Sequence, residues 1–120
     1  MKKPKKSAPR PGRPVRGSRT GRPVMALIDL LGRRWTLRVL WELRDGPLVF
    51  RALQEACGGL SPSVLSQRLS ELREVRLVET RDPEGYALTP LGAELVSELL
   101  PVSRWAERWS RALATRGNKP

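Results

Sequence analysis

Three features of this 120-residue chain predict a mainly α fold with a small β wing. Four short runs carry apolar residues at helical spacing, a hairpin pattern surrounds Pro83, and one long helical run closes the chain. In the order helix, helix, short strand, helix, helix, two-stranded wing, terminal helix, they describe a winged helix-turn-helix. The terminal run has a broader apolar side than one small core covers, so the fold is expected to be dimeric through its terminal helices. The alternative is that this surface folds back on its own domain.

Residues 1–23 hold nine Lys or Arg and no acid, among Pro, Gly, Ser, Ala, Thr and a single Val. Such a composition cannot bury enough apolar surface to offset chain entropy, and a disordered basic tail is expected. Its contribution would be electrostatic, through counterion release at phosphates. Gly12-Arg13-Pro14 and Gly21-Arg22-Pro23 resemble AT-hook cores, with Pro11 and Thr20 where a first arginine belongs. Arg13, Arg16, Arg19 and Arg22 are therefore candidates for the minor groove or for phosphate; a plain basic tail is the alternative. Lys2-Lys3-Pro4-Lys5-Lys6 also resembles a nuclear import signal, and Met25 is an alternative start.

The domain is expected over residues 24–117. Val24, Leu27, Ile28 and Leu31 give a first helix over 24–31, ended by Gly32. A second spans about 35–44, with Leu37, Leu40, Trp41 and Arg44 on one side and Val39 and Leu43 widening the buried arc, until Gly46-Pro47 stops it. Leu48-Val49 makes a fragment of strand, and a brief third helix follows over 50–57, with Leu53 and Cys57 on one face. Cys57 reads as a small core residue in preference to a reactive thiol.

The fourth helix follows Gly58-Gly59, with Ser61 placed to cap it and Pro62 at its first position, where a missing N–H costs nothing. Leu65, Leu69 and Leu72 form one apolar stripe within about 60°. Ser63, Ser66, Gln67, Ser70 and Glu74 lie opposite, with Arg73 at the edge. Short hydroxyls and an amide on the outer face of a helix after a tight turn suit base edges in a major groove; a solvated amphipathic helix is the alternative. Residues 77–81 and 86–88 then flank Asp82-Pro83-Glu84-Gly85 as a hairpin. Thr89-Pro90 repeats the cap-then-proline signature and opens a helix to about residue 116, along which Leu91, Leu95, Leu99, Val102, Ala106, Trp109 and Leu113 recur, flanked by Val96, Leu100 and Trp105. Pro101 should kink or split it.

Composition narrows function. The formal charge of +11 falls mostly on the tail, since residues 24–120 hold 14 basic against 12 acidic side chains. With no His and only Cys57, the chain cannot build a His or Cys metal cluster, a Ser-His-Asp triad or a Cys-His dyad, and its carboxylates are not paired for acid and base work. An enzyme is not expected, nor a cofactor or metal. A lone cysteine fits a reducing cytoplasm, and no apolar run is long enough for a signal or a membrane span, so a cytoplasmic, nucleoid-associated protein is expected.

Several stretches together are similar to the HxlR family of winged-helix regulators, relatives of the MarR group. They are Pro23-Val24, Leu31-Gly32-Arg33-Arg34-Trp35-Thr36-Leu37, Asp45-Gly46-Pro47, Phe50 with Leu53, Leu60 through Leu72 with its Ser61-Pro62-Ser63-Val64-Leu65 opening, and Tyr86-Ala87-Leu88-Thr89-Pro90-Leu91-Gly92. The resemblance covers most of residues 23–109, including Trp105 and Trp109. It implies a homodimeric transcription factor on double-stranded DNA, with the helix from Ser61 to Glu74 in the major groove of a roughly palindromic operator and the wings on backbone or minor groove. Carried onto matching positions, Ser61, Ser63, Ser66, Gln67 and Arg68 become DNA contacts.

The helical angles divide these roles. Ser63, Ser66, Gln67 and Ser70 are assigned to bases, Gln67 foremost because its amide both donates to and accepts from adenine. Ser61, Arg68, Arg33, Arg34, Arg73 and Arg81 are assigned to the DNA backbone, with pairing to a nearby carboxylate as the alternative for Arg68 and solvated charge for Arg33 and Arg34. Leu95, Leu99, Val102, Trp105 and Trp109 are assigned to the dimer interface. Three departures from the family pattern stand out: Arg22 replaces the sensing cysteine before Pro-Val, Arg76 replaces the glycine that ends the fourth helix, and the short wing sets Arg81 against Asp82 and Glu84. Cys57 stands at an apolar family position and inherits no sensing role. Glu71 and Glu74, acids beside a groove, lean instead toward a winged-helix module for protein partners; a sequence-nonspecific nucleic-acid binder driven by the tail is a further reading. No polar cluster in the sequence marks an effector site.

Overall fold

The computed structural model describes residues 8–15 and 21–115. Helix α1 (Pro23–Leu31) starts on Pro23 and buries Ala26 and Leu30. Its Val24 and Ile28, half of the expected stripe, point outward and are more than half exposed. Helix α2 (Thr36–Glu42) begins after Trp35, whose φ of 77° breaks it from α1. It buries Thr36, Val39 and Leu40, with Leu43 just beyond its end, while Leu37 is exposed. Helix α3 (Phe50–Ala56) contributes Leu53, and Cys57 after it is buried as expected. Gly58 and Gly59 then turn the chain at φ near +80°, a left-handed pair that side chains with a Cβ resist.

Helix α4 (Pro62–Glu74) opens as the sequence predicts: the Ser61 hydroxyl accepts a hydrogen bond from the Val64 N–H at 3.3 Å. Leu65, Leu69 and Leu72 are fully buried and meet Leu40, Leu43 and Leu53 in one core. The helix closes on a complete two-bond cap in which Leu77 N–H donates to Leu72 O at 2.9 Å and Arg76 N–H to Arg73 O at 3.1 Å. Arg76 occupies the left-handed position, φ 65°, that glycine normally takes.

The wing pairs β1 (Val78–Arg81) with β2 (Gly85–Leu88) antiparallel. Leu48 adds a single rung, exchanging backbone bonds of 2.9 and 2.8 Å with Tyr86. That bridge ties the root of α3 to the wing, and Phe50 packs edge-on against Tyr86. Helix α5 (Pro90–Thr115) runs unbroken through Pro101, so the expected split does not occur. Thr89 links its start to the end of α4: the hydroxyl donates to Arg76 O at 2.7 Å and accepts from Gly92 N–H at 2.9 Å. Only Gly92 and Val96 of α5 are buried, and beyond Pro101 the helix has little packing.

Part of the tail expected to be disordered lies on this body. Ala8 is buried, its N–H donating to Glu74 Oε1 at 3.3 Å, and Arg10 donates to Glu74 O at 3.4 Å. Gly12 N–H then bonds Gly21 O at 2.9 Å. Pro9, Pro11 and Pro14 restrict this stretch before it packs, which lowers the entropy lost on ordering. Lys2, Lys3, Lys5, Lys6, Arg16 and Arg19 lie outside the described residues.

Candidate nucleic-acid interface

At about 100° per residue, α4 presents three faces. One is the buried leucine stripe. A second, made of Ser63, Ser66, Ser70 and Arg73, is exposed throughout. Together with Gln67, Leu69 and Tyr86 these residues line a groove of about 500 Å³ between α4 and the wing. Tyr86 was not among the site residues expected from sequence. Its signal was slight, a lone tyrosine in the second wing strand, and its place became visible only once Leu48 paired with it. Short hydroxyls along one face leave room for a duplex to approach the helix closely, and each is a donor and acceptor.

The third face carries Gln67, Arg68, Glu71 and Glu74, and Glu71 organises it. Its carboxylate is buried, and three side chains converge on it. Arg68 donates to Oε1 at 2.6 Å, Arg33 to Oε2 at 2.8 Å and Gln67 Nε2 to Oε2 at 2.9 Å. Burial alone would raise the Glu71 pKa, but hydrogen bonds from Gln67 and Arg68 and the charges of Arg68 and Arg33 outweigh it and hold the carboxyl below its ordinary value. Arg68 thus takes the carboxylate pairing foreseen as its alternative, with its Nε enclosed and unpaired. Arg33 is held by Glu71 in the same way. Gln67 faces the groove and the network at once: one amide hydrogen is committed to Glu71, and reading adenine requires the rest of the amide or release from Glu71.

Other candidate backbone contacts divide. Arg34 and Arg73 are exposed, Arg34 lying 5.8 Å from the Trp35 ring centroid. Arg81 pairs with Glu79 at 2.7 Å and donates to Leu88 O at 3.2 Å, which holds it along the wing. Arg22 is exposed at the start of α1, and Arg13 lines a cleft together with Gly32 and Arg33 of the turn after that helix. Cys57 is enclosed, and burial, opposed by Arg38 and aided by Glu42, pushes its thiol up. That disfavours the reactive thiolate.

The candidate dimer residues lie along α5. Leu95 and Leu99 are half-buried, whereas Val102, Trp105 and Trp109 are each more than half exposed. Trp105 and Trp109 stack on each other with centroids 5.7 Å apart and planes 12° from parallel. Leu113 extends the strip, and Val24 and Ile28 add exposed apolar surface on α1. Among the described residues no helix is long and apolar enough to cross a membrane.

Comparison with known proteins agrees with this architecture. The model of the HxlR-like helix-turn-helix family matches residues 30–114. The chain is 37% identical over 89 residues to the uncharacterized HTH-type transcriptional regulator YvaP of Bacillus subtilis, covering 68% of this chain and 82% of that one. It is 33% identical over 87 residues to the HTH-type transcriptional regulator YodB of B. subtilis, covering 68% and 78%. Among solved structures, quinone-bound YodB superposes with a TM-score of 0.65 at 30% identity, covering 71% of this chain and 94% of that one. A possible HxlR family transcriptional factor from Thermoplasma volcanium gives 0.63 at 28% identity, covering 71% and 82%. The family and these relatives are transcriptional regulators, not enzymes.

Proposed function

Because the chain belongs to the HxlR-like helix-turn-helix family, a family of DNA-binding transcriptional regulators, we propose that it acts in the cytoplasm as a homodimer on a roughly palindromic operator. Each α4 enters a major groove, with half-site centres about 34 Å or a multiple apart. The observation that carries this reading is the separation of faces on α4. Ser63, Ser66 and Ser70 are open to a ligand, whereas Glu71, on the neighbouring face, is buried and held by Arg33 and Arg68. An acid facing a groove would repel phosphate; one neutralised by two guanidiniums does not. The reading as a protein-interaction module drew on Glu71 and Glu74 and loses the support of Glu71, while the exposed Glu74 carboxylate accepts only the Ala8 N–H.

Ser63, Ser66, Ser70 and Gln67 read bases; Ser61 and Arg73 hold the backbone, joined by Tyr86 across the groove. Arg33 and Arg68 hold α4 in place through Glu71 and reach phosphate only at its expense. Arg16, Arg19 and Arg22 add sequence-independent affinity. Selection of bound sites from random DNA, followed by gel shifts, tests this. Gln67→Ala is expected to cost about 1–3 kcal/mol on the selected site and little on random duplex. Equal losses on both would remove Gln67 from base reading. Absence of any selected sequence would favour the nonspecific binder. Deleting residues 1–7 is expected to weaken binding to all sequences alike and to flatten its salt dependence.

A further inference from the structure

Between the strap of residues 8–15 and the body lies a second cleft, of about 1110 Å³, unrelated to the groove-facing hydroxyls. It is comparable in size with pockets that take drug-sized ligands, roughly 300–1,000 Å³. Arg10, Arg13, Arg33, Arg34 and Arg68 all line it, against only Asp29 and Glu71. Glu71 is already committed to Arg33 and Arg68, and it leaves the Arg68 Nε–H enclosed without an acceptor. Arg34 has no hydrogen-bonding or ion-pairing partner among the described residues, and the cleft therefore holds an excess of guanidinium over carboxylate. Its remaining walls include Pro9, Pro14, Val15 and Ile28. Guanidinium forks beside apolar walls match a ligand with an oxyanion at one end and an apolar body at the other.

We infer that this cleft is a binding site for a small organic anion, a carboxylate, sulfonate or phosphate ester carrying a hydrophobic group. A duplex phosphate fits it less well, because a DNA backbone offers nothing to the apolar walls that Pro9, Pro14, Val15 and Ile28 supply. The site goes beyond DNA recognition but borders on it: Gln67 lines both this cleft and the groove beside α4. An anion drawing Arg33 or Arg68 away from Glu71 alters the contact that holds the Gln67 amide, which is the route from occupancy to the reading face.

The test uses the full chain and a charged and neutral pair of fluorescent probes, anilinonaphthalene sulfonate and phenylnaphthylamine. Arg13 and Arg34 are changed together to Gln, since neither supports Glu71 and Arg34 is exposed; circular dichroism checks the fold. The double variant is expected to bind the sulfonate roughly tenfold or more weakly, as loss of charge-assisted hydrogen bonds implies, and the neutral probe as before. Unchanged sulfonate affinity, or equal loss for both probes, overturns the site. In a second arm, random-sequence duplex is added to the sulfonate complex at low salt. An apparent dissociation constant that rises to a plateau supports a separate, coupled site. A rise without limit in proportion to duplex shows direct competition, assigns the arginines to DNA backbone and overturns the effector site. Neither outcome depends on whether DNA is read sequence-specifically, which the gel shifts decide.

Discussion

At Glu71 the chain buries one carboxylate and surrounds it with two guanidiniums and an amide, so removing its charge leaves Arg33 and Arg68 facing each other uncompensated. Breaking a buried pair from one side is costly, and Glu71→Gln is expected to lower stability by about 3 kcal/mol in urea denaturation. The same network sets a pH dependence. The folded carboxyl lies below its ordinary value of 4.5, so its stabilisation is complete above that pH and is lost as pH falls through the depressed folded value. Stability of the natural chain should therefore decline on acidification below about pH 4.5, with a shallower decline in Glu71→Gln; parallel acid limbs would show that other carboxylates carry the effect. Arg76 offers the opposite experiment. Its φ of 65° is unfavourable for a residue with a Cβ, and Arg76→Gly should stabilise the fold by about 1 kcal/mol, read as a higher urea midpoint.

Among elements, the junction from α4 to α5 is closely packed. Thr89 Oγ1 spans from Arg76 O to Gly92 N–H, and a Cβ at Gly92 would collide with the Leu77 carbonyl oxygen. Gly92→Ala must push α5 away from the wing root, at an expected cost of about 3 kcal/mol, and a cost below about 1 kcal/mol would mean that the helix shifts freely. Much of this was legible beforehand. Ser61-Pro62 and Thr89-Pro90 mark helix starts through local chemistry, and the leucine stripe of α4 follows from period alone. Gln67 was not legible in the same way. Angle placed it outward, but whether its amide stays open or pairs with Glu71 four residues on depends on how that carboxylate is buried, and Arg33, distant in sequence, helps to hold it there. Nor was the strap, since composition speaks for the average of residues 1–23 and Ala8 is held by one acid at the end of α4. Helix α1 shows a further limit: its apolar residues occupy two sides, and periodicity does not say which one, Ala26 with Leu30 or Val24 with Ile28, meets the core.

At the scale of the whole molecule, α5 is the element on which assembly into a dimer would turn. Its 26 residues extend about 39 Å, yet its buried residues are confined to the first two turns. The strip that follows, Val102, Trp105, Trp109 and Leu113, is large, aromatic and exposed, and a chain left in that form would be prone to associate. A twofold pairing of α5 with its copy would cover the strip and set two α4 helices toward one face of a duplex. Trp105→Glu with Trp109→Glu replaces the stacked pair by like charges facing across that axis, while leaving the leucine core untouched. Sedimentation should then show a monomer, and thermal stability, rising with protein concentration in the natural chain, should become independent of it. Affinity for a two-half-site operator should fall by about 10²–10⁴, because each domain then binds without its tethered partner, while affinity for a single half-site stays unchanged. If the double variant remained dimeric, the interface would lie elsewhere, with Val24 and Ile28 of α1 the next surface to test.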